Sequence, residues 1–161
     1  MKRGYTKEWF LQKIAKVRQL VPDVTIATDI IVGFPGESDE DFEDTMDVVR
    51  KSGFEFMYSF AYSPRPLTKA ADMQEQIDEE IKSSRLSTLQ ALQTQIQDEA
   101  HARNLGKTME VLFENFEDGF CFGKSSNNFV IKVSSTEDFT NQTKLVKITK
   151  CGRHNLTGEF V

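Results

Sequence analysis

The chain has 161 residues, 39% of them hydrophobic and 28% charged, with a formal net charge of −5. These values describe a globular protein of one ordinary domain or two small ones. They exclude a membrane helix, which needs an apolar run of roughly 18 residues, and an acidic balance argues against nonspecific nucleic-acid binding.

In chain order, residues 6–20 read as a helix with Phe10, Ile14, Val17 and Val21 on its apolar face. Thr6 opens it and Pro22-Asp23 ends it. Six Lys or Arg against one acid, Glu8, make residues 1–20 basic, while acids gather at 37–47 and 72–80. Two readings of the basic end stand: it meets phosphate, or it is a solvated helix face. Met1–Thr6 has no apolar stretch of the signal-peptide kind, so the expected location is the cytoplasm.

A strand follows over Thr25–Val32. Its β-branched end, Asp29-Ile30-Ile31-Val32, fits a parallel strand buried on both faces. Gly33-Phe34-Pro35-Gly36 then turns the chain, and Ser38 or Asp39 caps a helix over Glu40–Lys51 with Phe42, Met46 and Val49 inward. Ligands of α/β folds bind just past such strand ends. A second strand, Glu55–Tyr62, stops at Ser63-Pro64-Arg65-Pro66. The order helix, strand, helix, strand predicts a parallel sheet. A long helix spans 77–104, with Ile81, Leu89, Leu92 and Ile96 as its stripe.

From residue 107 the pattern changes to short strands at Met109–Glu114, Phe120–Gly123, Phe129–Val133 and Leu145–Ile148. They predict a small antiparallel barrel or sandwich. The expected organisation is therefore an α/β unit over 1–104 and a β unit over 105–161. Two parallel strands leave bare edges, so the first unit reads as the tail of a larger domain and the chain as a C-terminal fragment open to self-association. Cys121 and Cys151, thirty residues apart with no CxxC or CxxxCxxC spacing, read as reduced thiols. Neither they nor His101 and His154 predict a metal site.

The motifs MKRGYT at 1–6, TDIIVGFPGE at 28–37 and YSPRP-x-T-x-AA at 62–71, followed by a terminal β unit, resemble the MiaB-type methylthiotransferases. These radical S-adenosylmethionine enzymes add a methylthio group to tRNA. The resemblance covers the whole chain and implies the last part of a partial TIM-like radical barrel, then a TRAM domain, a small RNA-binding β-barrel. It implies S-adenosylmethionine as cofactor and two 4Fe–4S clusters whose cysteines lie outside these residues, so that this fragment alone is inactive.

Residue by residue, Ile31, Val32, Gly33, Phe34 and Pro35 match the family's adenine-side motif, and Glu37 closes it by ordering the turn. Glu37 also reads as an ordinary first-turn acid stabilised by the helix dipole. Tyr62, Ser63, Arg65 and Thr68 match the loop after the next strand. Arg65 is the candidate for a cofactor carboxylate or an RNA phosphate; the other reading is a surface arginine paired with Glu37 or Asp72. Many family members have glycine where this chain has Leu67. Lys2 and Arg3 match a loop at the mouth where substrate enters. In the β unit, Lys124 and Lys132 are candidate RNA contacts, and Phe113, Phe120, Phe122 and Phe129 are either core or base-stacking residues. Residues 105–161 carry seven basic and seven acidic side chains, so an RNA role there rests on the resemblance and not on charge.

The expected substrate is N6-isopentenyladenosine beside the anticodon, presented on a tRNA anticodon stem-loop. The resemblance leaves the sulfur donor open. Related branches act on N6-threonylcarbamoyladenosine or on a ribosomal protein. Two readings outside the enzyme class remain: a non-catalytic RNA-binding TRAM module, and an α/β metabolite domain whose Gly-Pro-Gly turn holds phosphate.

Overall fold

The computed structural model describes residues 3–161, so Lys2 lies outside the described residues. The elements are α1 (Lys7–Leu20), β1 (Ala27–Val32), α2 (Asp39–Ser52), β2 (Phe56–Ala61), α3 (Glu79–Ala102), β3 (Thr108–Glu117), β4 (Phe120–Ser125), β5 (Val130–Ser134), β6 (Thr143–Cys151) and β7 (Leu156–Phe160). They form two compact units, one reaching to Ile96 and one from Gln97 to Val161, the division falling inside α3. Among the described residues no helix is long and apolar enough to cross a membrane.

In the first unit β1 and β2 pair in parallel, Ala27 opposite Phe56 through Val32 opposite Ala61. The α2 crossover makes this pairing possible. Ser38 caps α2 in a capping box with Asp41, and Gly53 ends it at φ 57, a left-handed conformation that glycine takes without Cβ strain. Phe42, Met46 and Val49 bury against Val32, Phe54, Leu89 and Ile96 to make the core.

Three expectations need correction here. The strand β1 is buried on one face only: Val32 is fully buried while Asp29 and Ile31 are exposed. Ile31 and Phe60 pair across the sheet on that open face, at 37% and 54% exposure, with Tyr58 beside them. Nothing among the described residues covers it. On α1, Val17 and Val21 are exposed. Phe10 and Ile14 pack on the core, and Arg18, next on that face, sends its guanidinium to the Ser52 and Gly53 carbonyls and to Glu55. On α3, Leu89 and Ile96 of the expected stripe are buried and Leu92 packs on the core, but Ile81 is exposed, and Lys82, Arg85 and Gln93 turn inward beside them.

The second unit is a closed barrel in the order β3-β4-β5-β7-β6. It is not wholly antiparallel, because β5 and β7 run parallel. Val111, Phe113, Cys121, Phe129, Ile131, Val133, Val146, Ile148 and Leu156 fill its core. The strand pattern from sequence lacks β7, which passes through Gly158. That glycine is steric: a Cβ there would meet Val146 Cγ1 and the Lys147 carbonyl oxygen of the neighbouring strand. In the last turn of α3, buried His101 places Nδ1 2.7 Å from the Gly152 oxygen and its ring edge-on to Phe129.

Candidate functional site

At the carboxyl end of β1 the chain turns at Gly33, φ +71. Its backbone N–H donates to Glu37 Oε1 at 3.0 Å. The same oxygen accepts from Arg85 Nη1 at 2.7 Å, and Arg85 also donates to the Glu37 carbonyl oxygen at 3.0 Å and to Asp39 Oδ1 at 2.7 Å. The pair is nearly dry, with side-chain exposures of 8% for Arg85 and 11% for Glu37. Removing one partner of such a pair leaves a buried charge, at a cost of about 3–5 kcal/mol. Glu37 thus orders the turn through its side chain, and α3 holds Glu37.

A Cβ on Gly33 would overlap Lys82 Cγ. Lys82, 2% exposed, lays its methylenes over the turn and carries Nζ to Glu79 Oε1 at 2.8 Å, 5.6 Å from the Tyr62 ring centroid. Tyr62 meets Phe34 edge-on at 5.3 Å, and its buried hydroxyl has no hydrogen-bond partner. Val32, Gly33 and Pro35 are buried and Phe34 half-buried. The strand ends therefore bring together Gly33, Phe34, Glu37, Tyr62, Lys82 and Arg85. The apolar periodicity that marks a helix's inward side gives no signal for Lys82 and Arg85. The available signal was two cations at i and i+3 heading α3, downstream of an acidic turn.

Arg65 stands apart from that cluster. Its side chain is exposed and forms no ion pair or hydrogen bond among the described residues, since Glu37 is taken by Arg85. Its carbonyl oxygen accepts from the Thr68 N–H at 3.3 Å and the Thr68 hydroxyl at 2.8 Å. With Pro66 at the second position and Leu67 at φ 65, this matches a type II turn. Leu67 thus adopts the backbone that glycine takes freely.

Arg3 is exposed and, with Tyr5, Lys7 and Phe10, lines a cleft of about 340 Å³ along Thr28–Ile31. The strand β1 pairs only with β2 among the described residues, so this cleft follows its open edge. On the barrel, Phe113 and Phe129 are core, whereas Phe120 and Phe122 are half-buried on the outer face. Lys132 Nζ sits 3.7 Å over the Phe120 ring and 5.8 Å from Phe122. Lys124 is exposed and pairs with Glu114 at 3.3 Å. Cys121 and Cys151 are free thiols, and burial pushes the Cys151 thiol above its ordinary range. No group of three or more His, Cys, Asp or Glu side chains arranged to hold a metal occurs among the described residues.

Residues 1–49 match the model of the radical SAM superfamily, and residues 102–161 match the TRAM domain. Relatives that match over the whole chain carry the name tRNA-2-methylthio-N(6)-dimethylallyladenosine synthase, three of them as follows. They are 52% identical in Nitratiruptor sp., 54% in Campylobacter jejuni strain RM1221 and 50% in Sulfurimonas denitrificans. The alignments cover 100% of this chain and 37% of each relative, so the chain spans well under half their length. The radical SAM and TRAM matches stand in the order the motifs require, and about half of all residues are identical from end to end, so this chain corresponds over its whole length to a portion of the MiaB-type radical S-adenosylmethionine methylthiotransferases.

Proposed function

We propose that this chain is the cofactor-turn and RNA-binding portion of an enzyme that adds a 2-methylthio group to N6-dimethylallyladenosine (the same nucleoside as N6-isopentenyladenosine) in tRNA. The observation that carries the reading is the unbroken match to synthases of that name. In it, residues 1–104 are the end of a partial radical barrel and 105–161 the TRAM barrel. The open edge of β1 and the bare Ile31–Tyr58–Phe60 face are where the rest of that barrel belongs. The protein would work in the cytoplasm, on the anticodon stem-loop.

The strand ends fit a nucleoside cofactor in two respects. They offer an apolar face, Ile31 with Phe60, and a buried Tyr62 hydroxyl that lacks a partner. S-adenosylmethionine, with iron–sulfur clusters held elsewhere in the enzyme, would supply the radical chemistry. Ile31 to Pro35 would bound its adenine, Glu37 would fix the turn, and Arg65 would pair with a carboxylate or phosphate through its planar fork. Lys2, Arg3, Lys124 and Lys132 would meet the tRNA backbone.

The test is a chimera in which this chain replaces the matching segment of the Nitratiruptor relative, expressed in cells lacking the activity. Nucleosides from their tRNA should contain 2-methylthio-N6-dimethylallyladenosine. Arg65→Lys in the chimera should lose about tenfold to a hundredfold in affinity for the ligand it serves, a charge-assisted bond being worth roughly 1.5–3 kcal/mol. A folded, cluster-loaded chimera that leaves dimethylallyladenosine unmodified overturns the assignment. Methylthiolation of threonylcarbamoyladenosine instead would move the chain to the sister branch.

A further inference from the structure

The outward side of α1 carries an aromatic stack that neither the turn nor the barrel uses. The Tyr5 and Trp9 rings lie 5.5 Å apart and 22° from parallel. Their exposures are 50% and 48%. Tyr5 also stacks on Phe10 at 5.7 Å, and Phe10 packs into the core beside Phe54. The stack is therefore anchored from behind and open in front.

Lys13, one turn further along, holds Nζ 5.0 Å from the Trp9 ring centroid. Arg3, Lys13 and Lys16 are exposed and form no ion pair among the described residues. The other cations here are occupied: Lys7 binds Asp44 and Asp47, and Arg18 binds Glu55. Glu8 is the only acid of α1.

Flat π faces beside unpaired cations are the chemistry that holds single-stranded nucleic acid, with bases on the rings and phosphates on the charges. A second copy of this chain suits the surface less well, because pairing two such faces would set Arg3, Lys13 and Lys16 against their own kind. We propose that Tyr5 and Trp9 form a stacking platform for an unpaired RNA base, with Lys13, Arg3 and Lys16 meeting the adjoining phosphates. This deepens the tRNA reading above and rests on it.

Trp9 is the only tryptophan of the chain, so tryptophan emission reports on this face alone. The experiment titrates the full chain with single-stranded decaadenylate RNA. Binding is followed by the anisotropy of a fluorescein-labelled copy and, with unlabelled RNA, by Trp9 emission. Anisotropy should rise and emission fall along one isotherm. Trp9→Leu should weaken binding about fivefold to a hundredfold, Lys13→Glu should weaken it too, and Trp9→Phe, which keeps a ring, should retain most of it. Both altered side chains are solvent-facing, and the circular dichroism of each variant checks its fold. Rising anisotropy with constant emission and unchanged Trp9→Leu binding overturns the platform and leaves the tRNA reading standing. No anisotropy change overturns the platform and RNA binding by this chain together. A blue shift in emission that grows with protein concentration in the absence of RNA means that a second copy covers the face, and overturns the proposal.

Discussion

Leu67 shows how much one backbone angle can say about a site. It is fully solvent-exposed and sits at φ 65, where a left-handed conformation costs an L-residue roughly 1–2 kcal/mol. Glycine would take this angle freely; the leucine keeps the same turn and bears the strain. Leu67→Gly should relieve it, less the roughly 0.4–1 kcal/mol by which glycine loosens the unfolded chain. The expected net gain lies between zero and about 1.6 kcal/mol in urea unfolding, with the Arg65 loop unchanged. A destabilised Leu67→Gly protein would mean that the leucine side chain makes up its strain in a way its exposure does not suggest. The sequence located this loop and its arginine, but leucine carries none of the glycine or asparagine signal that marks a positive φ, so only the structure shows the left-handed angle at residue 67.

At the scale of the element, α2 begins with a reciprocal cap. Asp41 Oδ2 accepts from the Ser38 hydroxyl at 2.7 Å and from the Ser38 N–H at 2.9 Å, and the Asp41 N–H donates to Ser38 Oγ at 3.1 Å. The Ser38 hydroxyl first, then its N–H, hold the Asp41 carboxyl below the ordinary aspartate range. A depressed folded-state value stabilises at pH above the unfolded value, about 3.9, and the stabilisation is lost as pH falls through the folded value. Ser38→Ala should therefore cost about 1 kcal/mol near neutrality, and the gap from the natural protein should narrow below about pH 4. Equal gaps at neutral and acid pH would separate the cap from the carboxylate. This start was readable because a cap is local, set by residues three apart. The inward side of α3 was not. Lys82 and Arg85 turn inward because Gly33, Glu37 and Asp39, more than forty residues earlier, meet them there.

At the scale of the whole molecule, the first unit ends in unfinished surfaces. The Ile31–Tyr58–Phe60 face is open, and β1 has a free edge among the described residues. Exposed apolar surface beside unpaired strand backbone favours pairing with another copy. Sedimentation of the chain by itself should show concentration-dependent association, and Phe60→Lys, which places charge on the face without touching the core, should reduce it. Sedimentation as a monomer at every concentration, with the variant no different, would show that the face is protected in some other way. The barrel predicts the opposite behaviour, because closure through β6 and β7 leaves no strand edge.

What the sequence determined by itself was carried by neighbours in the chain: the cap at Thr6, a cap for α2 at Ser38 or Asp39, the Gly33–Gly36 turn, the apolar side of α2, the prolines that stop β2, and a change of period near residue 107. Family motifs then supplied the residues to watch. Only tertiary structure decided which side of β1 is covered, that Arg18 and not Val17 turns toward the core, that Arg85 grips Glu37, and that Gly158 lies in a strand against Val146. The physical reason is the same in each case. A side chain's inward or outward direction follows from what stands opposite it, and those partners come from distant parts of the chain. A charged residue can be buried wherever the opposite charge waits, and a glycine can be required wherever two strands close on it.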